Sequence, residues 1–156
     1  MGIARQIEAQ AKDLYQQDYF AWTQQQAKML RAGQMSTVDA QNLAEEIEDL
    51  GRSEKRALAS RMTVLLAHLL KWQYQPELRS KSWQHPIATQ RKEVHYELAA
   101  SPSLKPLFSD PEWMDLVWPC ATVLAGQETG IDIDTFPEAS PWGMSDVLRD
   151  GWLPAE

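Results

Sequence analysis

The sequence has a single cysteine, Cys120, so no internal disulfide can form. That composition agrees with a reducing compartment such as the cytoplasm. Set in "VWPCATVLAG" with no neighbouring activator, Cys120 reads as a small buried apolar residue. Basic residues are in the minority, with 15 Lys and Arg against 22 Asp and Glu and a net charge of −7. Such a surface repels phosphate backbones, which places an antitoxin-like or nucleic-acid-associated role last among the alternatives. Long hydrophobic runs are missing too. The longest, "MTVLLAHLL" at 62–70, is about half of what a membrane span needs. "MGIARQIEAQAK" lacks an apolar core, so no signal peptide is expected, and Gln6 stands where a myristoylation motif wants Ser or Thr.

Catalytic signatures are equally scarce. There is no glycine-rich phosphate loop and no G-x-S-x-G. The three histidines, His68, His85 and His95, make no H-x-x-x-H or E-x-x-H pair, so no metal and no cofactor is expected.

What is present is the material of a globular helical protein: 44 % apolar residues, 24 % charged, and seven tryptophans to fill a core. Residues 1–12 read as an N-terminal lead-in and 13–154 as one helical domain. The spacing of Leu14, Asp18/Tyr19, Trp22, Gln26, Met29 and Leu30 predicts a first helix over 13–33, with Asp13 as cap and Gly33 as stop. A long second helix over about 39–74 is carried by Leu43, Ile47, Leu50, Leu58, Met62, Leu65, Leu69 and Trp72. Gly51 lies inside it, and a kink or a break at Gly51-Arg52-Ser53, with Ser53 able to cap a new helix, is the alternative. Ser82 is expected to cap a third helix with Pro86 in its first turn, and Asp110–Pro111 to open a fourth that Gly130 ends. Pro119 should kink that last helix. The apolar tail from Ile131 to Trp152 should wrap the bundle, with a short helix from about Ser145. The expected fold is therefore all-α: an antiparallel four-helix bundle with one long second helix and a C-terminal segment wrapping it.

The stretch "EEIEDLGRSEKRAL" (45–58) sorts by helix face. Glu45, Asp49, Arg52 and Arg56 point away from the leucines, as solvent surface or as an acidic docking face centred on Glu45 and Asp49. Glu48 and Arg52 form a favourable i,i+4 pair. Glu54, Arg61 and His68 instead recur on the leucine side, and Arg91 joins the apolar face of the third helix. Buried charges need partners, so these four are expected to pair with each other or with Asp18 and Gln26. The stripe reads either as a structural network that sets helix register or as a polar pocket, with His68 as acid/base or ligand and an arginine holding an anion. "LAHLLKWQYQPELRSKSWQH" interleaves aromatics with Lys71, Arg79 and Lys81, but tryptophans at helical spacing are more often core than a nucleic-acid patch.

"DLYQQDYFAW", "NLAEEIEDLGRSEKRAL", "LLAHLLKWQYQPELRSKSW", "SPSLKPLF" and "ETGIDIDTFPEASPW" together resemble a bacterial family known as domain of unknown function twenty-nine. The resemblance covers Asp13 to Pro154. It implies a small, helical, intracellular protein without an established activity, and it transfers no catalytic residue. Trp118-Pro119-Cys120 and His85-Pro86 depart from the family pattern, in the expected third and fourth helices. The leading expectation is a non-enzymatic interaction or adaptor protein that works through acidic and aromatic surfaces, with a protein partner or a second copy. The alternative is a small-ligand binder or enzyme using Glu54, Arg61, His68 and Arg91.

Overall fold

The computed structural model describes residues 2–155, and all regular structure among them is helical. The elements are α1 (Gly2–Gln17), α2 (Tyr19–Arg31), α3 (Ala40–Tyr74), α4 (Lys81–Ala100), α5 (Pro111–Thr129) and α6 (Met144–Val147), with short 3₁₀ turns at Pro76–Leu78, Pro102–Ser109 and Ile133–Thr135. No described helix is long and apolar enough to cross a membrane. The chain divides into two compact units, Met1–Ser53 and Glu54–Glu156, and the division falls inside α3. Gly51-Arg52-Ser53, where the sequence allows a kink or a break, lies at that division, and the helix continues through it.

In the first unit the expected single helix over 13–33 is two helices. Asp18 leaves helical geometry at φ −148° and ψ 84°, and its carboxylate accepts the Ala21 N–H at 2.9 Å. An aspartate satisfies the orphan donors of a helix start better than it serves a helix interior. The cap is therefore Asp18, not Asp13, which lies inside α1. The lead-in is not separate either, since α1 begins at Gly2; Met1 lies outside the described residues. Gly33 ends α2 as expected, at φ +70°, with Gln34 N donating to Met29 O at 3.0 Å.

Asp39 opens α3. Its carboxylate is fully buried and accepts from Trp22 Nε1 at 3.2 Å and Asn42 Nδ2 at 2.7 Å, while its own N–H donates to Gln26 Oε1 at 2.7 Å. α3 then runs unbroken through Gly51 to Tyr74.

The second unit holds the main core. Leu58, Met62, Leu65, Leu66, Leu69 and Leu70 of α3 meet Ile87, Val94 and Leu98 of α4 and Trp113, Val117, Trp118 and Ala121 of α5. Lys71 ties α3 to Glu128 of α5 at 2.9 Å. α4 starts at Lys81 behind Ser80 rather than behind Ser82, which places Pro86 beyond the first turn. Asp110 caps α5, accepting Glu112 N–H at 3.0 Å, and Gly130 stops it at φ +75°.

The apolar tail is anchored at several points. Phe136 meets Tyr74 edge-to-face at 5.0 Å, Trp118 Nε1 donates to Pro137 O at 2.9 Å, and Trp142 stands between Trp118 and Trp152. α6 begins at Met144, one residue from its expected start.

Candidate functional site

The four residues of the expected polar stripe go to different places. Glu54 is exposed, contrary to the burial its helix phase predicted, as are Ile47 and Leu50 earlier on the same face. Arg61 is half-buried and pairs across to α4: its Nε donates to Glu97 Oε1, and its Nη2 lies 3.5 Å from Glu93 Oε2. That hydrogen bond and the two carboxylates raise its pKa above the usual arginine value. Its partners are thus neither Asp18 nor Gln26. Asp18 caps α2, and Gln26 is buried against Asp39.

His68 is half-buried, on a stretch of α3 where Leu65, Leu66, Leu69 and Leu70 are fully buried. Burial pushes its pKa down; the Lys71 ammonium pushes the same way and Glu128 opposes it. Burial thus favours the neutral ring.

Arg91 is 3 % exposed, and it meets the C-terminal segment rather than His68. Its Nε donates to Val147 O at 2.7 Å and its Nη2 to Trp152 O. Burial lowers its pKa, with Asp150 opposing and Arg149 adding to the fall. Two backbone carbonyls at the end of α6 and beyond thus take the guanidinium, which acts as a tether. His95 adds a third contact of this kind, with Nε2 at 2.7 Å from Leu148 O. Nothing here brings an acid, a base and an anion holder to one place.

The outer face of α3 lies as the sequence has it. Glu45, Asp49, Arg52 and Arg56 are exposed; Arg52 bonds Asp49 and lies 3.8 Å from Glu48. Ile47 and Leu50, expected to face inward, are 65 % and 69 % exposed. Cys120, expected to be buried, is exposed on α5 beside Val123. Arg79 lies 5.2 Å over the Trp72 ring and its Nε donates to Trp72 O at 2.7 Å, so this cation of the mixed basic–aromatic stretch is engaged within the fold.

Two features escape sequence reasoning. In the first unit, Tyr15 and Tyr19 both donate to Glu46, at 2.5 and 2.6 Å; Tyr15 meets Trp22 edge-to-face and Tyr19 stacks on it. The hydrogen bond to that carboxylate, with some burial, pushes the Tyr15 phenol up to about 12, and Tyr19 is raised for the same reason. The helical spacing of the three rings is a signal for the stack, whereas nothing local marks Glu46 as their acceptor.

In the second unit a groove of about 560 Å³ opens between α5 and the 138–144 segment. Phe108, Met114, Trp118 and Trp142 form apolar walls, and Asp115 and Glu138 bring carboxylates. Pro119 also lines it and has no N–H, so the Asp115 carbonyl lacks its helical donor. Residues this far apart in the chain give no spacing motif. Trp118-Pro119 was visible only as a departure from a regular helix.

Among the described residues, no group of three or more His, Cys, Asp or Glu side chains is placed to hold a metal ion. The model of a family described as Domain of unknown function DUF29 matches residues 14–153. No curated protein and no solved structure matches the chain.

Proposed function

We propose that this chain, which belongs to the DUF29 family, is a non-enzymatic interaction protein whose second unit docks a segment of a partner protein. The observation that carries this reading is the groove lined by Trp118, Trp142, Phe108 and Met114 with Asp115 and Glu138 in it. Aromatic faces and carboxylates together suit a lysine or arginine flanked by apolar side chains. The cation gains from both the ring quadrupoles and the carboxylates, and the walls take the apolar stem. A net charge of −7 favours approach of a basic segment. Trp118 is held by its bond to Pro137 O, so part of the site is preorganised.

An antiparallel packing of the second half of α3 with α4 and α5, which share one core, belongs to the same reading. So does a place in the bacterial cytoplasm, with the lone cysteine left as a thiol. The alternative of a ligand site on Glu54, Arg61, His68 and Arg91 has less support. Arg61 and Arg91 are engaged with Glu97 and with backbone carbonyls, and Glu54 stands apart in solvent.

The test is a displayed library of random linear peptides panned on the full chain, with counter-selection on the Asp115→Lys/Glu138→Lys variant. Recovered peptides should carry Lys or Arg beside an apolar residue and should bind the variant at least tenfold more weakly, in line with losing two charge contacts. Recovery of acidic peptides, of none, or of peptides that bind both proteins equally would refute the groove.

A further inference from the structure

Acceptors line the groove between α5 and the 138–144 segment from both sides. Asp115 and Glu138 bring exposed carboxylates, and among the described residues neither bonds a donor or a cation. The backbone makes a further acceptor. A helical C=O points along the axis to the N–H four residues on, so the Asp115 carbonyl faces residue 119. That residue is Pro119, which has no N–H to offer and whose ring crowds the carbonyl. Pro119 is exposed and lines the groove, so the freed carbonyl opens on the groove side of α5. Two side-chain donors of the groove are already engaged: Trp118 Nε1 with Pro137 O at 2.9 Å, and the Ser140 hydroxyl with Trp142 O at 3.1 Å.

The aromatic wall is fixed in place. Trp142 is half-buried, and Trp118 and Trp152 meet it edge-to-face at 5.8 and 6.0 Å. A cation can lie against such a ring without first having to order it. The shape of the cation then decides how much of the groove it uses. A lysine ammonium is a compact, strongly hydrated point charge. A guanidinium is flat and more weakly hydrated, with N–H donors spread around its edge. Stacked on Trp142, it can direct that edge to carboxylates of both segments and to the freed carbonyl. An ammonium on the same ring reaches fewer of them.

We infer, on the basis of the docking role proposed above, that the groove takes an arginine side chain of the partner segment in preference to a lysine. Pro119 sets that preference by leaving the Asp115 carbonyl free. It acts as a specificity residue through the hydrogen bond it cannot make.

The experiment is an NMR titration of the full chain with blocked tripeptides, followed on the Trp142 indole N–H resonance. The probes are acetyl-Leu-Arg-Leu-amide and the same peptide with lysine, citrulline or asymmetric dimethylarginine at its centre. The arginine peptide should bind roughly tenfold more tightly than the lysine peptide, which is about what a hydrogen bond to a charged group contributes. Dimethylarginine keeps the charge and the plane but loses donors, so it should fall to the lysine level. Neutral citrulline should not bind measurably. Pro119→Ala returns an N–H to the Asp115 carbonyl. It should bring the arginine peptide down to the lysine level and leave the lysine peptide unchanged. Equal affinity of the native chain for arginine and lysine, or dimethylarginine bound as tightly as arginine, overturns the preference and leaves the docking role standing. An arginine preference that survives Pro119→Ala overturns the part given to the freed carbonyl. Failure of both cationic peptides to bind takes the docking role down as well.

Discussion

Residues 40–53 of α3 bury no side chain completely, whereas residues 58–70 of the same helix bury seven. Both stretches repeat apolar residues at helical spacing. The difference lies in the width of the stripe. From Leu58 onward, adjacent pairs such as Leu65-Leu66 and Leu69-Leu70 widen the apolar face until it borders both α4 and α5 residues. Before Gly51 the large apolar residues Leu43, Ile47 and Leu50 come singly, with Glu46, Glu48 and Asp49 next to the last two. Periodicity shows that a helix is amphipathic. Stripe width shows whether it is enclosed by a core or can meet only a single neighbour.

The sharpest way to break this comparison is paired truncation. Leu65→Ala or Leu69→Ala removes a fully buried side chain and should cost about 2–5 kcal/mol in denaturant unfolding. Leu50→Ala at 69 % exposure should change monomer stability by less than about 0.5 kcal/mol. Equal costs would mean that the first half of α3 is enclosed after all.

Arg91 offers the next largest effect. Arg91→Met keeps much of the apolar stem but leaves the Val147 and Trp152 carbonyls without their donor. The loss should be about 2–3 kcal/mol, and amide exchange should rise in 144–153 before it rises in α3. Uniform loss of protection would show that the tail is not tethered there.

The two helical glycines sharpen the same contrast. A Cβ at Gly51 meets nothing within 4 Å, so Gly51→Ala should stabilise the fold by about 1 kcal/mol through helix propensity alone. A Cβ at Gly126 would stand 2.9 Å from Ile133 Cγ2 and 3.1 Å from the Ile131 carbonyl oxygen. The backbone oxygen cannot step aside, so Gly126→Ala should destabilise by about 1–3 kcal/mol. Thermal unfolding of the two variants should move in opposite directions.

These contrasts also mark what the sequence could tell. The length of α3, the Asp110–Pro111 start and Gly130 stop of α5, and the anchoring of the tail were all legible, because capping chemistry and apolar periodicity are local. The break at Asp18 was not. A periodic pattern continued across it, and only the preference of aspartate for a cap argued otherwise. Glu54 was misplaced because one phase, set from Leu43 to Trp72, took the whole face as buried, whereas Ile47 and Leu50 on that face are themselves exposed. Arg61 and Arg91 were rightly read as in need of partners. Their partners, Glu97 and the Val147 and Trp152 carbonyls, lie on elements whose positions no local rule gives. The groove combines 108–119 with 138–144, and only the folded chain joins them.

His68 gives the smallest effect, one that reports on the enclosed half alone. Its folded pKa is depressed, first by burial and then by Lys71, so the unfolded chain binds the proton more readily. Above the unfolded value of about 6.5 both states are neutral and the group makes no difference. As pH falls below that value the unfolded state takes up the proton first, and stability drops until the folded state titrates too. His68→Asn should therefore flatten the acid limb of a stability–pH curve below about pH 6.5 while leaving its course near pH 8 unchanged in shape. His95, which is exposed and bonded to Leu148 O, serves as the contrast. Diethyl pyrocarbonate should modify it well before His68. If His68 reacts first, the ring is open to solvent, and burial cannot be the cause of its lowered pKa.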